Sequence, residues 1–329
     1  MTLPAMNPIT KKELRVGARS FRFAGALMVY ALFMTLIAFA IASSARIYTV
    51  YSFSSYYDNY VVDYAAYAQS FVLLAVAQLT MICLIMPILT ASSISSEREM
   101  QTLDVMLTTP VSPFSIMWGK LASALVKLLL FVICSFPAMA VCFLYGGIDW
   151  TYLLEFLAGI LVIGFFTGAM GIYWSTYCQK TIVAIIMTLL TELIFALGPG
   201  AYMIVRVVST YYRLVQSGAV ITTANVGYET LIMLLCPLFT IVALIYSSCY
   251  GTDLISQFIV DGFDDLYKTG AGMAYIRKVW VPLAIAVALG LGFFFLWRAG
   301  RRLDSSRRKS EKAAKGRRKK KEKEAEISS

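Results

Sequence analysis

The sequence predicts an all-α polytopic membrane protein, and three observations predict it. Of the 329 residues, 59% are hydrophobic and 15% are charged, where a soluble domain carries about 25% charged residues. Mean hydropathy is +0.71. The apolar residues are gathered into runs of about twenty, the length a helix needs to cross roughly 30 Å of hydrocarbon. That combination excludes a soluble globular enzyme, a disordered chain and a disulfide-built secreted scaffold.

The runs at 23–43, 69–91, 119–143, 152–175, 181–204 and 279–297 are expected to span. A further run, 230–248, is short, contains Pro237 and is flanked by polar or glycine-bearing stretches. It is expected to be a re-entrant or interfacial segment on the outer side, tolerated where protein buries its backbone. The first run is too long for a cleavable signal, lacks a small-residue cleavage site and is followed by more spans. Lys11, Lys12, Arg15, Arg19 and Arg22 precede it, and basic flanks stay in the cytoplasm. From Arg298 onward the chain carries 14 Lys and Arg against 5 Asp and Glu, so that end is expected inside too. Both ends inside require an even number of crossings, and six leave Arg277 and Lys278 on the outer side. The organisation is therefore an interfacial segment at 1–22, a membrane domain at 23–297 and a disordered basic cytoplasmic tail at 298–329. The tail reads first as a topology anchor and second as a contact with anionic lipid head groups.

Composition narrows the chemistry. The chain has no histidine, which removes Ser-His and Cys-His nucleophilic sites and imidazole-bound zinc. Its six cysteines form no C-x-x-C pair and read as small packing residues rather than metal ligands or disulfides. No G-x-x-x-x-G-K-[ST] phosphate loop is present; Gly119-Lys120 is followed by Leu121. The basic excess belongs to the tail and accompanies no nucleic-acid-binding motif. No catalytic, cofactor-binding or metal residue is expected in this chain, and no nucleic-acid partner.

Two elements outside the spans carry information. In the first, Asn7 can cap a helix with Pro8 at its first position. Lys11, Arg15, Arg19 and Arg22 then share one face, and Leu14, Ala18 and Phe21 an adjacent one. That is a basic amphipathic helix at the lipid surface, or a plain basic flank to the first span. The second is the loop 92–118. Ser96-x-x-Glu99 reads as a capping box. Met100, Leu103 and Leu107 follow at helical spacing, and Thr108-Thr109-Pro110 stops the helix. The expected product is a short charged helix over about 96–109, held between two spans as a lever.

Asn7-Pro8-Ile9, Lys12-Glu13-Leu14, Ser95-Ser96-Glu97-Arg98-Glu99, Thr102-Leu103, Leu107-Thr108-Thr109-Pro110-Val111-Ser112 and Gly119-Lys120 together resemble the permease subunits of ABC-2-type transporters. The resemblance implies that 96–109 is a coupling helix. It would dock on a separate ATP-hydrolysing subunit through Glu97, Arg98, Glu99, Thr102, Leu103, Leu107 and Pro110. It implies ATP and magnesium on that partner, a second permease copy or a sister permease around one pathway, and a bacterial exporter in the inner membrane. It also supports a membrane-dipping outer segment before the last span. The long basic tail and the long outer stretch 198–278 depart from the family pattern. The substrate stays open among lipid, peptide, antibiotic and ion.

Glu192 is the acidic residue near the middle of a span. A lone intramembrane carboxylate is costly and marks a pathway or ion site, or else a structural hydrogen bond. Thr188, Thr191 and Gln78 are candidate partners. The pathway reading places Glu192 at a polar cavity between two permease copies. Lys127 is expected to snorkel to the head groups, and Glu155 to be interfacial. Tyr57, Tyr60, Tyr64 and Tyr67 form an outer aromatic stripe, read as an interfacial belt or an outer gate. Pro87, Pro137 and Gly198-Pro199-Gly200 should kink or end their helices. The competing functions are an ion-coupled secondary carrier using Glu192, and a membrane scaffold that transports nothing.

Overall fold

The computed structural model describes residues 8–52, 64–103, 112–144, 150–217, 232–250 and 279–304. Among these the chain is all-helical: α1 Pro8–Ala18, α2 Phe21–Ser52, α3 Tyr64–Glu99, α4 Pro113–Leu144, α5 Trp150–Tyr177, α6 Thr181–Ser217, α7 Pro237–Tyr250 and α8 Val279–Asp304. Six of them, α2 to α6 and α8, are long and apolar enough to cross a membrane. Asn7, Tyr57, Tyr60, Leu107, Pro110, the remainder of 104–111 and the tail from 305 lie outside the described residues.

The packing centre is the α3–α5 pair. Gly164, Gly168 and Gly171 line the face of α5 that meets α3 and α4. A methyl at Gly171 would collide with the Thr90 side chain and lie 3.2 Å from the Ala91 nitrogen. Small residues allow such close backbone approach, and dispersion then holds the helices where lipid supplies no hydrophobic drive. Of the apolar stretch of α5, 56% is buried, against 11% for α2 and 17% for α6, so those two form the outside of the bundle.

Several helix ends differ from the sequence reading. The basic helix stops at Ala18, and Arg19 and Ser20 form a break. Ser20 accepts from the nitrogens of Phe23 and Ala24 at 3.1 and 3.2 Å and starts α2. Arg19 therefore sits in the turn and Arg22 on α2, while Lys11 and Arg15 remain on α1; all four are exposed. The regular spacing of the charges carried on across a backbone break that it does not report.

α3 runs through Ser96 to Glu99 instead of starting a helix there. The Ser96 hydroxyl donates to the Ser92 carbonyl at 2.5 Å, one turn back, rather than capping. Pro87, Pro137 and Pro199 all lie inside continuing helices. Transmembrane helices accept proline because neighbours and hydroxyls satisfy the freed carbonyls.

Pro237 opens α7 rather than breaking it. Proline suits a first helical position, where its missing N–H is not needed. The Cys236 sulfur accepts from the Phe239 nitrogen at 3.4 Å and donates to the Ala196 carbonyl of α6 at 3.5 Å. The described 14 residues of α7 reach about 21 Å.

Candidate functional site

The spans alternate in direction, so α1, the end of α3, the start of α4, the end of α5, the start of α6 and the end of α8 share one end of the bundle. A network of charged and hydroxyl groups ties these ends together. Its hub is Lys120, 3% exposed, about two turns into α4. The ammonium lies 2.8 Å from Glu97 Oε1 of α3 and 3.1 Å from Glu13 Oε1 of α1. It donates hydrogen bonds to Glu97 Oε1 and, at 2.7 Å, to the Ser93 carbonyl. The ammonium thus has two hydrogen-bond acceptors and a second carboxylate in ion-pair range, the kind of surroundings a buried lysine requires.

α1 is fixed to the same place. Glu13 also accepts from the Ser123 hydroxyl, and Thr10 donates to the Gly119 carbonyl at 3.1 Å. The Lys127 stem passes over Gly17, where an added methyl would sit 3.0 Å from Cε. Lys127 therefore runs back along α4 toward the C-terminal end of α1, where a cation meets the negative end of a helix dipole.

The Glu97-Arg98-Glu99 run binds three different helices. Glu97 holds Lys120 of α4. Arg98 donates from Nη1 to the Cys178 carbonyl and from Nη2 to the Thr176 carbonyl, both at 3.1 Å. It so satisfies carbonyls at the end of α5 that have no partner within their own helix. Glu99 accepts from the Thr181 nitrogen at 2.9 Å and the Thr181 hydroxyl at 2.8 Å, capping the start of α6. α8 joins the group where the Arg302 guanidinium lies 3.6 Å from the Tyr177 ring centroid.

α3 itself ends in a Schellman turn. The Thr102 nitrogen donates to the Glu97 carbonyl at 2.9 Å and the Gln101 nitrogen to the Arg98 carbonyl at 3.1 Å. Gln101 takes the left-handed position with φ 57°, which glycine normally fills. Met100 and Thr102 are exposed, whereas Leu103 is buried in the apolar core.

Of the residues expected at the coupling site, then, Glu97, Arg98 and Glu99 come together but face other helices of their own chain. Lys120 and Glu13 appeared in the sequence only as parts of a motif. A lone lysine near the start of a span, with unpaired acids on two neighbouring segments, was the signal for the hub. Ser123, Ser175 and Thr181 carried no such signal.

Glu192 stands apart, on α6. It is 6% exposed; the Cys83 thiol of α3 lies beside it, and neither carboxyl oxygen has a partner in hydrogen-bond geometry. It lines a small cavity with Ile163, Phe166, Phe195, Cys236 and Leu238. The lining is largely apolar and comes from α5, α6 and the start of α7. The expected partners are engaged elsewhere or unpaired. Thr188 and Thr191 donate to their own helix, at 2.7 Å each. Thr191 also accepts from Trp174 Nε1 at 2.8 Å. Gln78 is buried with both amide atoms unpartnered. Among the described residues no cluster of His, Cys, Asp and Glu has the arrangement of a metal site.

The chain was compared with known proteins. No curated protein matches it. A family model described as ABC-2 family transporter protein matches residues 7–298. That span takes in α1, the clasp formed by Glu13, Glu97–Glu99, Lys120 and Thr181, and all of the six described crossings but the last turns of α8, so the chain belongs to the ABC-2 transporter family and is the multi-pass membrane part of an ABC transporter.

Proposed function

We propose that this chain is the permease of an ABC exporter that receives force from a separate ATP-hydrolysing subunit, which would hold ATP and magnesium. One observation carries the reading: Glu97, Arg98 and Glu99 bind α4, α5 and α6 separately. A partner that displaces the segment following Glu99 therefore moves four helix ends at once. In this reading the three charged residues transmit force inside the permease. Met100 and Thr102, both exposed, are the described residues offered for the partner's grip, and Leu107 and Pro110 are further candidates by the resemblance.

The basic residues of α1 and the tail support a cytoplasmic location for both termini, in a prokaryotic inner membrane. A second copy of the chain or a sister permease would complete the pathway, with Glu192 a candidate lining residue that becomes accessible as α6 moves. The long apolar outer faces of α2 and α6 suit lipid. An ion-coupled carrier is the second reading, favoured by the unpartnered buried carboxyl of Glu192.

The test is ATP hydrolysis by the subunit that copurifies with the full-length chain in lipid nanodiscs. Arg98→Ala is expected to lower permease-stimulated turnover at least tenfold while the two subunits still copurify. Copurification of no ATPase, with transport driven by an ion gradient, would establish the carrier instead. Unchanged turnover in Arg98→Ala, Glu97→Ala and Glu99→Ala would end the force-transmission reading. Unchanged transport in Glu192→Leu would remove that residue from the pathway.

A further inference from the structure

One turn before the clasp, α3 carries a run of hydroxyls, Thr90-Ala91-Ser92-Ser93-Ile94-Ser95-Ser96. In a regular helix the amides of Ile94 and Ser95 bond the carbonyls of Thr90 and Ala91. Both halves of these two rungs have a side-chain alternative here. The Ile94 and Ser95 nitrogens each lie 2.9 Å from Ser175 Oγ, a fully buried oxygen of α5. The Thr90 carbonyl accepts from the Ser93 hydroxyl and the Ala91 carbonyl from the Ser95 hydroxyl, both at 2.7 Å.

The neighbouring turns carry the same kind of hydroxyl back-bond. Thr90 and Ser92 donate to the carbonyls of Met86 and Ile88 at 2.8 and 2.7 Å. Pro87 removes one rung outright. Hydroxyl back-bonding and a side chain inserted at the ladder are recognised causes of helix bending. Ser175 reaches the α3 backbone because Gly171, one turn earlier on α5, has no side chain to hold the helices apart.

We propose that α3 hinges at the Ile94 and Ser95 rungs, with Ser175 the positioning residue that holds the two amides as the rungs lengthen. Every polar group that a stretched rung would leave bare in a dry interior already has its second partner, so the bend proceeds without an orphaned donor or acceptor. Force arriving at Glu97–Glu99 then turns the last turn of α3 against a shaft still packed on α5. The proposal rests on the force-transmission reading above and adds the place where the lever bends.

The experiment uses the full-length chain with its copurifying ATPase in nanodiscs. Hydrogen–deuterium exchange along α3 is followed without nucleotide and with ATP plus vanadate. In the unaltered protein, the exchange rate of the Ile94 and Ser95 amides should change at least threefold on trapping, while Phe71–Ile85 stays constant. A uniform change along α3, or none, overturns the hinge without recourse to a variant. Ser175→Ala, and Ser93→Ala with Ser95→Ala, should lower kcat for ATP at least threefold at unchanged KM; Ser175→Thr, which keeps the oxygen, should recover it. If Arg98→Ala uncouples the pair but the serine variants do not, the hinge is wrong and the lever stands. If Arg98→Ala also leaves turnover unchanged, the lever reading fails and takes the hinge with it.

Discussion

The clasp at the helix ends and the surroundings of Glu192 treat buried charge in opposite ways. Lys120 is 3% exposed and has two carboxylates and a carbonyl around it. Glu192 is 6% exposed and has no partner in hydrogen-bond geometry. Burying an ion costs several kcal/mol, recovered only when partners are placed well. A paired buried charge fixes one arrangement of the elements that supply the partners. An unpaired buried polar group has a standing preference for any arrangement that gives it one. The clasp is therefore the part of the molecule that must move as a unit, and the Glu192 cavity is the part whose state can change.

The sharpest way to break this contrast is to remove the hub. Lys120→Met leaves Glu13 and Glu97 facing each other without a cation. It should cost about 3–5 kcal/mol, read as a large loss of melting temperature in detergent. Adding Glu13→Gln and Glu97→Gln should recover most of it; no recovery would mean that Lys120 matters through packing alone. Arg98→Ala comes next. It strips two carbonyls of α5 of their donors and should cost about 2–3 kcal/mol, checked by the same thermal measurement.

Glu192→Leu tests the other side and should go the opposite way. A side chain of similar size without a polar group removes an unsatisfied burial, and the chain should gain about 1–2 kcal/mol while transport falls. A destabilised Glu192→Leu would reveal a partner for the carboxyl and erase the contrast. The smallest effect is expected at the end of α3. Gln101→Gly relieves a left-handed residue and should add about 0.5–1 kcal/mol, unless the Gln101 side chain makes a compensating contact.

The crossings were legible because apolar length is a one-dimensional property. The helix ends were not, and Glu99 shows why. A hydroxyl followed three residues later by a glutamate says that a carboxylate near exposed amides caps a helix start. That chemistry is present: Glu99 caps α6 through Thr181, 82 residues along the chain. The pattern gives the chemistry but not the partner, since an amide presented by a distant helix is as good an acceptor's match as a local one. Ser96, the other half of the motif, back-bonds because its own helix was already formed. Arg19 and Arg22 illustrate the converse. Their spacing continues a helical face, but no spacing encodes the Arg19–Ser20 break. Leu103, which the resemblance places in the coupling set, is buried in the core of this chain.

Glu99 has one more consequence. α6 is 37 residues long, about 55 Å end to end, and much of its length faces away from the bundle. Its foot is pinned by two bonds from Thr181 to a single carboxylate. A mast stepped at its base amplifies whatever happens there: a tilt of about 10° at Thr181 carries the far end roughly 10 Å sideways over that length. A displacement too small to disturb any ion pair at the foot is thereby magnified at the opposite end.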